Sequence, residues 1–293
     1  MIPAPTSAPT CAPDTCLISA ADLIPLAFDP HYVILDCRHD LLNPQYGRTA
    51  YASGHIPGAQ FVSIDDDLSG VKDGPIFRGR HPLPDPDVFI ATLRHLGVDA
   101  GSRVIAYDAH GGMYAARLWW MLRWIGHANV MVLDGGLQAW QELGCTLEQQ
   151  VPEHAPGTIT RQPSLVGTVD AATVMANLDS QTMQVIDARA PDRFRGENET
   201  IDPVGGHIPG AKNRFFKDNL KTDGKFKSAT QLRAELSAIL PDAQTGIMQC
   251  GSGVSACHNL LALEVAGMHG AKLYPGSWSE WCADPARPIA SGA

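Results

Sequence analysis

Cys250 stands in a short loop whose neighbours favour a reactive thiol. It directly follows an apolar strand and precedes a helix, and Gly251 and Gly253 lie between them. Glycines permit a tight curl that turns several backbone N–H groups toward one atom, and the start of the helix adds the positive end of its dipole. Both effects stabilise the thiolate, which is the nucleophilic form of cysteine. The loop therefore predicts nucleophilic chemistry at Cys250 without a histidine base.

Three other interpretations of this loop fit its residues less well. A cysteine phosphatase also surrounds a thiolate with amides, but it needs an arginine near the end of the loop to bind phosphate, and this sequence has Ala256 there. A zinc site made of Cys250, Cys257 and His258 lacks the usual ligand spacing. A cysteine that is only a small buried residue is disfavoured by the strand, glycine loop and helix around it.

The elements that position this loop occur twice in the chain. The motif Gly-His-Ile-Pro-Gly-Ala stands at 54–59 and again at 206–211. The copies differ at the reactive position, because the first has Asp108 where the second has Cys250. The sequence therefore predicts two copies of one domain, with the chemistry in the second copy only.

Apolar strands alternate with helices in both copies. We predict strands over 32–36, 103–107, 130–133, 184–187, 246–249 and 272–274, and helices over 114–124 and 255–266. Strands and helices that alternate in this way form parallel sheets. The predicted fold class is therefore α/β, with two tandem domains that are each a mostly parallel sheet flanked by helices on both faces.

The same patterns predict the domain boundaries. We assign a flexible N-terminal tail to 1–18, a catalytically silent domain to 19–144, a proline-containing linker to 145–167 and a catalytic domain to 168–293. The long segment 63–86 and its shorter counterpart 215–228 are either variable surface loops or include one that borders the cleft between the copies.

Composition excludes several kinds of partner. The chain has 293 residues, a net charge of -9 and 44% hydrophobic residues, which is typical of a soluble globular protein. The acidic charge disfavours a nucleic-acid partner, and no apolar run reaches the about 18 residues needed to span a membrane. Seven scattered cysteines favour free thiols over a disulfide framework. We therefore expect a cytoplasmic protein that binds neither nucleic acid nor a membrane.

Four motifs together resemble the tandem-domain rhodanese-like sulfurtransferases, and most of all their 3-mercaptopyruvate branch. They are the duplicated Gly-His-Ile-Pro-Gly-Ala, Arg-Phe-Arg-Gly at 193–196, Cys-Gly-Ser-Gly-Val-Ser-Ala at 250–256 and Gly-Ser-Trp-Ser-Glu-Trp at 276–281. The resemblance implies that Cys250 takes a sulfane sulfur from a donor, becomes a persulfide and passes the sulfur to cyanide, a small thiol or thioredoxin. It implies no metal and no organic cofactor.

The resemblance also implies roles for other residues. Ser252 would assist departure of the enolpyruvate, and Arg193 would hold the donor carboxylate. His55 matches a first-domain histidine that works with the loop serine and an aspartate, although its twin His207 favours a turn-bracing role for both. The remaining donor-binding residues would be those of the loop, namely Gly251, Gly253, Val254 and Ser255.

The donor itself stays open between two anions. The uncharged loop favours mercaptopyruvate, a monoanion, over the dianion thiosulfate. Many mercaptopyruvate enzymes carry a second arginine before the second Gly-His-Ile-Pro-Gly motif, but here 199–204 offers Asp202 and no cation. Thiosulfate therefore remains an alternative donor. A persulfide carrier or sensing module that is loaded by protein partners and turns over slowly is the alternative from another functional class.

Overall fold

The computed structural model describes residues 16–72, 74 and 76–292. Most of the tail predicted over 1–18 lies outside these residues. Its last two residues, Leu17–Ile18, form β1 instead, because this apolar pair extends the first sheet by pairing in parallel with β5 (Val130–Leu133). No helix in the described part of the chain is long and apolar enough to cross a bilayer.

The first half of the chain forms a parallel sheet of five strands, in the order β1-β5-β4-β2-β3. The other strands are β2 (Tyr32–Asp36), β3 (Gln60–Phe61) and β4 (Arg103–Tyr107). The helices are α1 (Ala20–Leu23), α2 (Tyr46–Ser53), α3 (Pro86–His95), α4 (Ala115–Trp124) and α5 (Gly136–Glu142). Side chains of Ser19 and Asp85 cap α1 and α3 by accepting backbone N–H groups, which sets where these helices begin.

The second half repeats this topology, in the order β6-β10-β9-β7-β8. Its strands are β6 (Gly167–Thr168), β7 (Gln184–Asp187), β8 (Lys212–Asn213), β9 (Gly246–Gln249) and β10 (Lys272–Leu273). Its helices are α6 (Ala171–Ser180), α7 (Pro191–Arg195), α8 (Ala229–Ile239), α9 (Ser255–Val265) and α10 (Ser277–Ala283). The predicted strands and helices are found within one residue at each end, and the predicted fold class is confirmed.

Each sheet is buried on both faces, which explains its apolar strands. In β4, Val104 and Ala106 belong to one hydrophobic cluster with Phe89 of α3, whereas Ile105 belongs to another with Trp140 of α5. Alternate residues of a strand point to opposite faces, so helices must cover both sides. The layers are therefore helix, sheet and helix.

The two halves share one core at their boundary. Helices α4 and α9 follow the corresponding loops of the two copies and pack against each other. Eight of the ten residues of α4 and eight of the eleven residues of α9 are buried, and most residues of both helices belong to a hydrophobic cluster that contains strands of both sheets. This packing brings the first-domain loop that begins at Asp108 close to the second-domain loop that begins at Cys250.

The segment 63–86 also reaches the domain boundary. The N–H of Gly70 donates to Pro82 O at 2.9 Å, which closes the segment on itself. The N–H of Arg80 donates to the hydroxyl of Ser279 on α10 at 3.1 Å, which attaches it to the second domain. Of the two interpretations of this segment, the one in which it borders the cleft is confirmed.

Candidate active site

Cys250 lies between the end of β9 and the start of α9 and is only 2% exposed. Its own N–H donates to the hydroxyl of Ser277 at 3.1 Å, and its carbonyl accepts from the N–H of Trp278 at 2.9 Å. The next five amides, from Gly251 to Ser255, have no hydrogen-bond acceptor among the described residues. Buried amides normally find a partner, so this loop has a set of donors ready for an anion.

The corresponding loop of the first domain shows what such amides do. The carboxylate of Asp108 accepts four backbone N–H groups at 2.7–3.0 Å, from His110, Gly112, Tyr114 and Ala115. The first loop therefore holds an anion that belongs to its own chain. In the second loop the residue at that position is a thiol, and the amides are left without such an acceptor among the described residues.

Gly253 is required by the tight fold of the second loop. It has a φ of +76°, and a methyl group added to it would lie 2.4 Å from the carbonyl oxygen of Pro275. A side chain at this position would be strained and would collide with backbone. Gly253 thus shapes the loop, and it does not line the cavity beside Cys250.

The cavity beside Cys250 has a volume of about 190 Å³ and is formed by both domains. Of the residues predicted for the site, it brings together Cys250, Gly251, Ser252, Val254, Ser255 and Arg193. From the first domain it adds Arg80 and Tyr114. The volume is suited to a small donor, with the thiol at one wall and three guanidinium groups, those of Arg80, Arg189 and Arg193, nearby.

Ser252 is hydrogen-bonded to a histidine that the sequence analysis did not single out. Its Oγ lies 2.7 Å from Nδ1 of His81, and Nε2 of His81 lies 3.4 Å from Oδ1 of Asp65. Because the carboxylate accepts from Nε2–H, Nδ1 is left to accept from the hydroxyl of Ser252. Burial lowers the pKa of His81, and the hydrogen bond from His81 lowers the pKa of Asp65. The imidazole is therefore neutral at pH 7 beside an ionised carboxylate.

His55 lies in a different environment from the one that the resemblance implied. Its Nδ1 is 2.9 Å from Tyr51 O, its Nε2 is 3.2 Å from Gln150 O, and its ring stacks on Tyr51. His207 repeats this arrangement, with Nδ1 at 2.9 Å from Phe194 O and its ring stacked on Phe194. His55 and His207 are thus twins that brace equivalent turns, and the histidine that reaches Ser252 is His81.

A buried arginine holds the two halves of this site together. Arg117 on α4 is fully buried and donates to the carbonyl oxygens of Gly253 at 3.1 Å, His81 at 3.1 Å and Leu68 at 3.2 Å. One guanidinium therefore fixes the reactive loop and the histidine segment relative to each other. Its position within an apolar helix gave no indication of this role in the sequence.

Arg193 is paired with acidic side chains of its own domain. Its Nε and Nη2 donate to the two carboxylate oxygens of Glu199 at 3.0 and 2.8 Å, and Nη2 also lies 3.3 Å from Asp202. Such a two-fold pair fixes the orientation of the guanidinium plane. Its Nη1 makes no hydrogen bond within the described chain, so one edge of Arg193 remains available on the cavity side.

The residues of the rejected zinc site do not converge on an ion. His258 uses Nε2 on the carbonyl of Gly111 at 3.0 Å and Nδ1 on the amide of Asn219 at 3.2 Å. Burial raises the pKa of the Cys257 thiol to about 12, so this neighbour of Cys250 stays protonated. Within the described residues, the group close enough to share a metal ion is His39, Asp65 and His81.

Comparison with known proteins assigns the family. The model of the rhodanese-like domain matches residues 19–143 and 170–284. The chain is 45% identical over 280 residues to a Pseudomonas aeruginosa protein with the provisional name 3-mercaptopyruvate sulfurtransferase, covering 94% of this chain and 98% of that one. It is 42% identical over 283 residues to a Mycobacterium tuberculosis protein provisionally named thiosulfate sulfurtransferase SseB, covering 94% and 97%.

A solved structure supports the same assignment. The chain is similar to SseA from Escherichia coli, described as a 3-mercaptopyruvate sulfotransferase, with a TM-score of 0.79 and 34% identity. The match covers 90% of this chain and 99% of that one. With two family matches, close relatives along the whole chain and the same fold, the chain belongs to the rhodanese family and carries two rhodanese-like domains in tandem.

Proposed function

We propose that the protein is a sulfurtransferase that moves sulfur from 3-mercaptopyruvate, through a persulfide on Cys250, to a thiophilic acceptor. The observation that carries this proposal is the hydrogen bond between Ser252 and His81. Ser252 stands two residues after the thiol of Cys250. When mercaptopyruvate gives up its sulfur, the remaining enolate becomes pyruvate only after a proton is added to the carbon that carried the sulfur. This donor therefore needs a proton relay. The names of relatives at 45% and 34% identity agree with this donor.

The first half of the reaction loads the sulfur. The thiolate of Cys250 attacks the sulfur of mercaptopyruvate, an S–S bond forms, the C–S bond breaks, and its electron pair passes to the enolate of pyruvate. The proton of the donor thiol first passes through Ser252 to neutral His81. Protonated His81 then donates from Nδ1–H to the oxygen of Ser252, which frees the hydroxyl of Ser252 to donate to the enolate oxygen as charge develops there. The proton held by His81 finally returns through Ser252 to the pyruvate carbon. A persulfide anion remains, stabilised by the free amides of the loop.

The second half of the reaction unloads the sulfur. An acceptor such as cyanide, a small thiolate or thioredoxin attacks the outer sulfur, and Cys250 leaves as the thiolate. We propose that this takes place in the cytoplasm, where thiols stay reduced, and all six described cysteines are free thiols. The first domain would not take part as a nucleophile, because Asp108 fills the corresponding loop with its own carboxylate.

Thiosulfate is the second candidate donor. Three arginines border the cavity, which suits a dianion, and several relatives carry a thiosulfate sulfurtransferase name. Sulfite leaves with its own electron pair and needs no proton. The two donors are therefore distinguished by whether transfer depends on the hydroxyl of Ser252.

The test is steady-state sulfur transfer to cyanide from each donor, in the wild type and in Ser252→Ala and Cys250→Ser. We expect mercaptopyruvate to be preferred, Cys250→Ser to be inactive with both donors, and Ser252→Ala to lose kcat roughly 100-fold with mercaptopyruvate alone. Equal loss with both donors would overturn the proton relay. One turnover per protein molecule, followed by arrest, would favour the carrier module over the enzyme.

A further inference from the structure

Arg80 reaches the active site from the first domain and is fixed there by the second. Its backbone N–H donates to Ser279 on α10 at 3.1 Å, and its Nη1 is paired with the carboxylate of Asp202. The side chain of Asp202 is 3% exposed, whereas that of Arg80 is 24% exposed. The guanidinium is thus held on a buried anion of the second domain, and its other edge is open to the cavity.

The guanidinium groups of Arg80 and Arg193 each direct an unpaired N–H group toward the cavity side of Gly251. A methyl group added to Gly251 would lie 2.7 Å from Nη2 of Arg80 and 3.9 Å from Nη1 of Arg193. Neither of these two nitrogens makes a hydrogen bond to a described residue. The point directly above Gly251, the residue after Cys250, is therefore within reach of two guanidinium groups, one from each domain.

The acidic residues around this point limit its charge. Arg193 forms ion pairs with Glu199 and Asp202, and Arg80 forms an ion pair with Asp202 as well. Arg189 also lines the cavity and is paired with Asp187 and Glu199. With the carboxylates ionised, these three arginines and three acidic residues have no net charge. A donor that brings one negative charge is met by two free N–H donors. A second negative charge finds no further free guanidinium edge, because all three nitrogens of Arg189 already donate to Asp187, Glu199 and Gly206 O, and it faces the carboxylate of Asp202.

We propose that Arg80 and Arg193 together bind the carboxylate of a 2-oxo acid donor above Gly251, and that Asp202 biases this site against dianions. The inference rests on the proposed sulfur transfer from mercaptopyruvate and names the residue that completes its donor site. It explains how the segment 199–204 can lack an arginine: the second cation comes from the other domain, on the same segment as His81. Donor recognition therefore requires both domains.

The direct test is binding of pyruvate, used as the 2-oxo acid probe, in a Cys250→Ser background where no turnover interferes. We expect Arg80→Gln to weaken pyruvate binding in calorimetry roughly 10- to 100-fold, the effect of losing one charged hydrogen bond, and Arg80→Lys to restore part of it. The matched control is Arg78→Gln, an exposed arginine two residues earlier that borders a different cavity. Unchanged pyruvate affinity in Arg80→Gln would overturn the assignment.

Kinetics separate binding from a purely structural role. In the enzyme with Cys250 intact, Arg80→Gln should raise the KM for mercaptopyruvate and leave kcat unchanged, because the contact is made equally before and during reaction. Ser279→Ala removes the anchor of the segment but keeps the guanidinium. If it reproduces the KM increase of Arg80→Gln in full, Arg80 acts only as a domain latch and the proposal is wrong.

Asp202→Asn tests the charge bias. Removing the counter-ion leaves both arginines and adds one positive charge, so the ratio of kcat/KM for thiosulfate to that for mercaptopyruvate should rise. An unchanged ratio would overturn this part of the proposal. If the wild type transfers sulfur from neither donor while pyruvate binding still depends on Arg80, the proposed function fails and the carboxylate site stands.

Discussion

The hydroxyl of Ser252 in the second domain lies 2.7 Å from the imidazole of His81 in the first. The reactive thiol and the group that would move the proton are thus supplied by different domains. Arg117 links them through the carbonyls of Gly253 and His81. In the proposed mechanism, the copy that has Asp108 in place of the cysteine is still needed, because it brings the relay to the thiol of the other copy.

We expect His81→Gln to separate the two donors. Glutamine cannot accept and return a proton, so kcat with mercaptopyruvate should fall roughly 100-fold, within the usual range for loss of acid–base catalysis. Transfer from thiosulfate, which needs no proton, should keep its rate. Steady-state assays with cyanide as acceptor measure both.

His55→Gln is the matched control for that variant. His55 braces a turn through Tyr51 O and Gln150 O, so its replacement should lower the urea midpoint of unfolding and leave the ratio between the donors as in the wild type. A change in the ratio between the donors for His55→Gln, or an unchanged ratio for His81→Gln, would contradict the assignment of the relay to His81.

The pH dependence of mercaptopyruvate transfer should report His81. Burial lowers the pKa of His81, so the neutral form that accepts the proton persists below the ordinary histidine value of about 6.5. Activity should therefore fall on the acid side only below about pH 6.5. This fall in activity at acid pH should be missing in His81→Gln. If it persists in this variant, it does not report the titration of His81.

The sequence predicted the repeated elements of this protein and, as one of two interpretations, the place of the segment 63–86 beside the cleft, but not the residues of that segment that reach the site. Strands such as Val130–Leu133 are continuous apolar runs, and the loop from Cys250 is marked by its glycines. Asp65, Arg80 and His81 belong to a segment with no helical or strand periodicity. Their meeting with Ser252 depends on how that segment folds across the domain boundary, which is a tertiary property.

Short elements were missed for a related reason. Strands β1, β3 and β8 have two residues each, too few to show the alternation by which a strand is recognised. They exist because a longer neighbour offers them backbone partners. The arginine at 80 could have been suspected, since Gly79-Arg80-His81-Pro82 places a cation and an imidazole between turn residues.

Asp108→Asn tests the first-domain loop as a structural anion site. The carboxylate accepts four N–H groups, and one amide oxygen cannot replace two carboxylate oxygens. Leaving buried donors unpaired should lower the free energy of unfolding by about 1–3 kcal/mol. Urea unfolding measures the loss, and kcat with mercaptopyruvate should stay at the wild-type value. A loss of kcat without a loss of stability would instead give Asp108 a role in catalysis.

His258 should make the fold sensitive to acid. Burial lowers the pKa of His258 to about 4, although the hydrogen bond between its Nε2 and Gly111 O favours the charged form. The unfolded chain binds this proton near pH 6.5, so stability is present above that pH and is lost as pH falls toward about 4, by on the order of 3 kcal/mol.

His258→Gln isolates that contribution, since glutamine can still donate to Gly111 O but does not titrate. Urea midpoints measured from pH 7 to pH 4 should decline less steeply in the variant than in the wild type. Parallel declines would mean that carboxylates alone cause the acid sensitivity.

The most direct measurement of the central claim is mass spectrometry of the protein after mixing with mercaptopyruvate in the absence of an acceptor. We predict that one sulfur atom is added to the peptide that contains Cys250, that Cys257→Ser acquires it as well, and that Cys250→Ser does not. The added sulfur should disappear when cyanide is supplied. Sulfur on another cysteine, or an unmodified protein that nevertheless transfers sulfur to cyanide, would contradict a persulfide on Cys250.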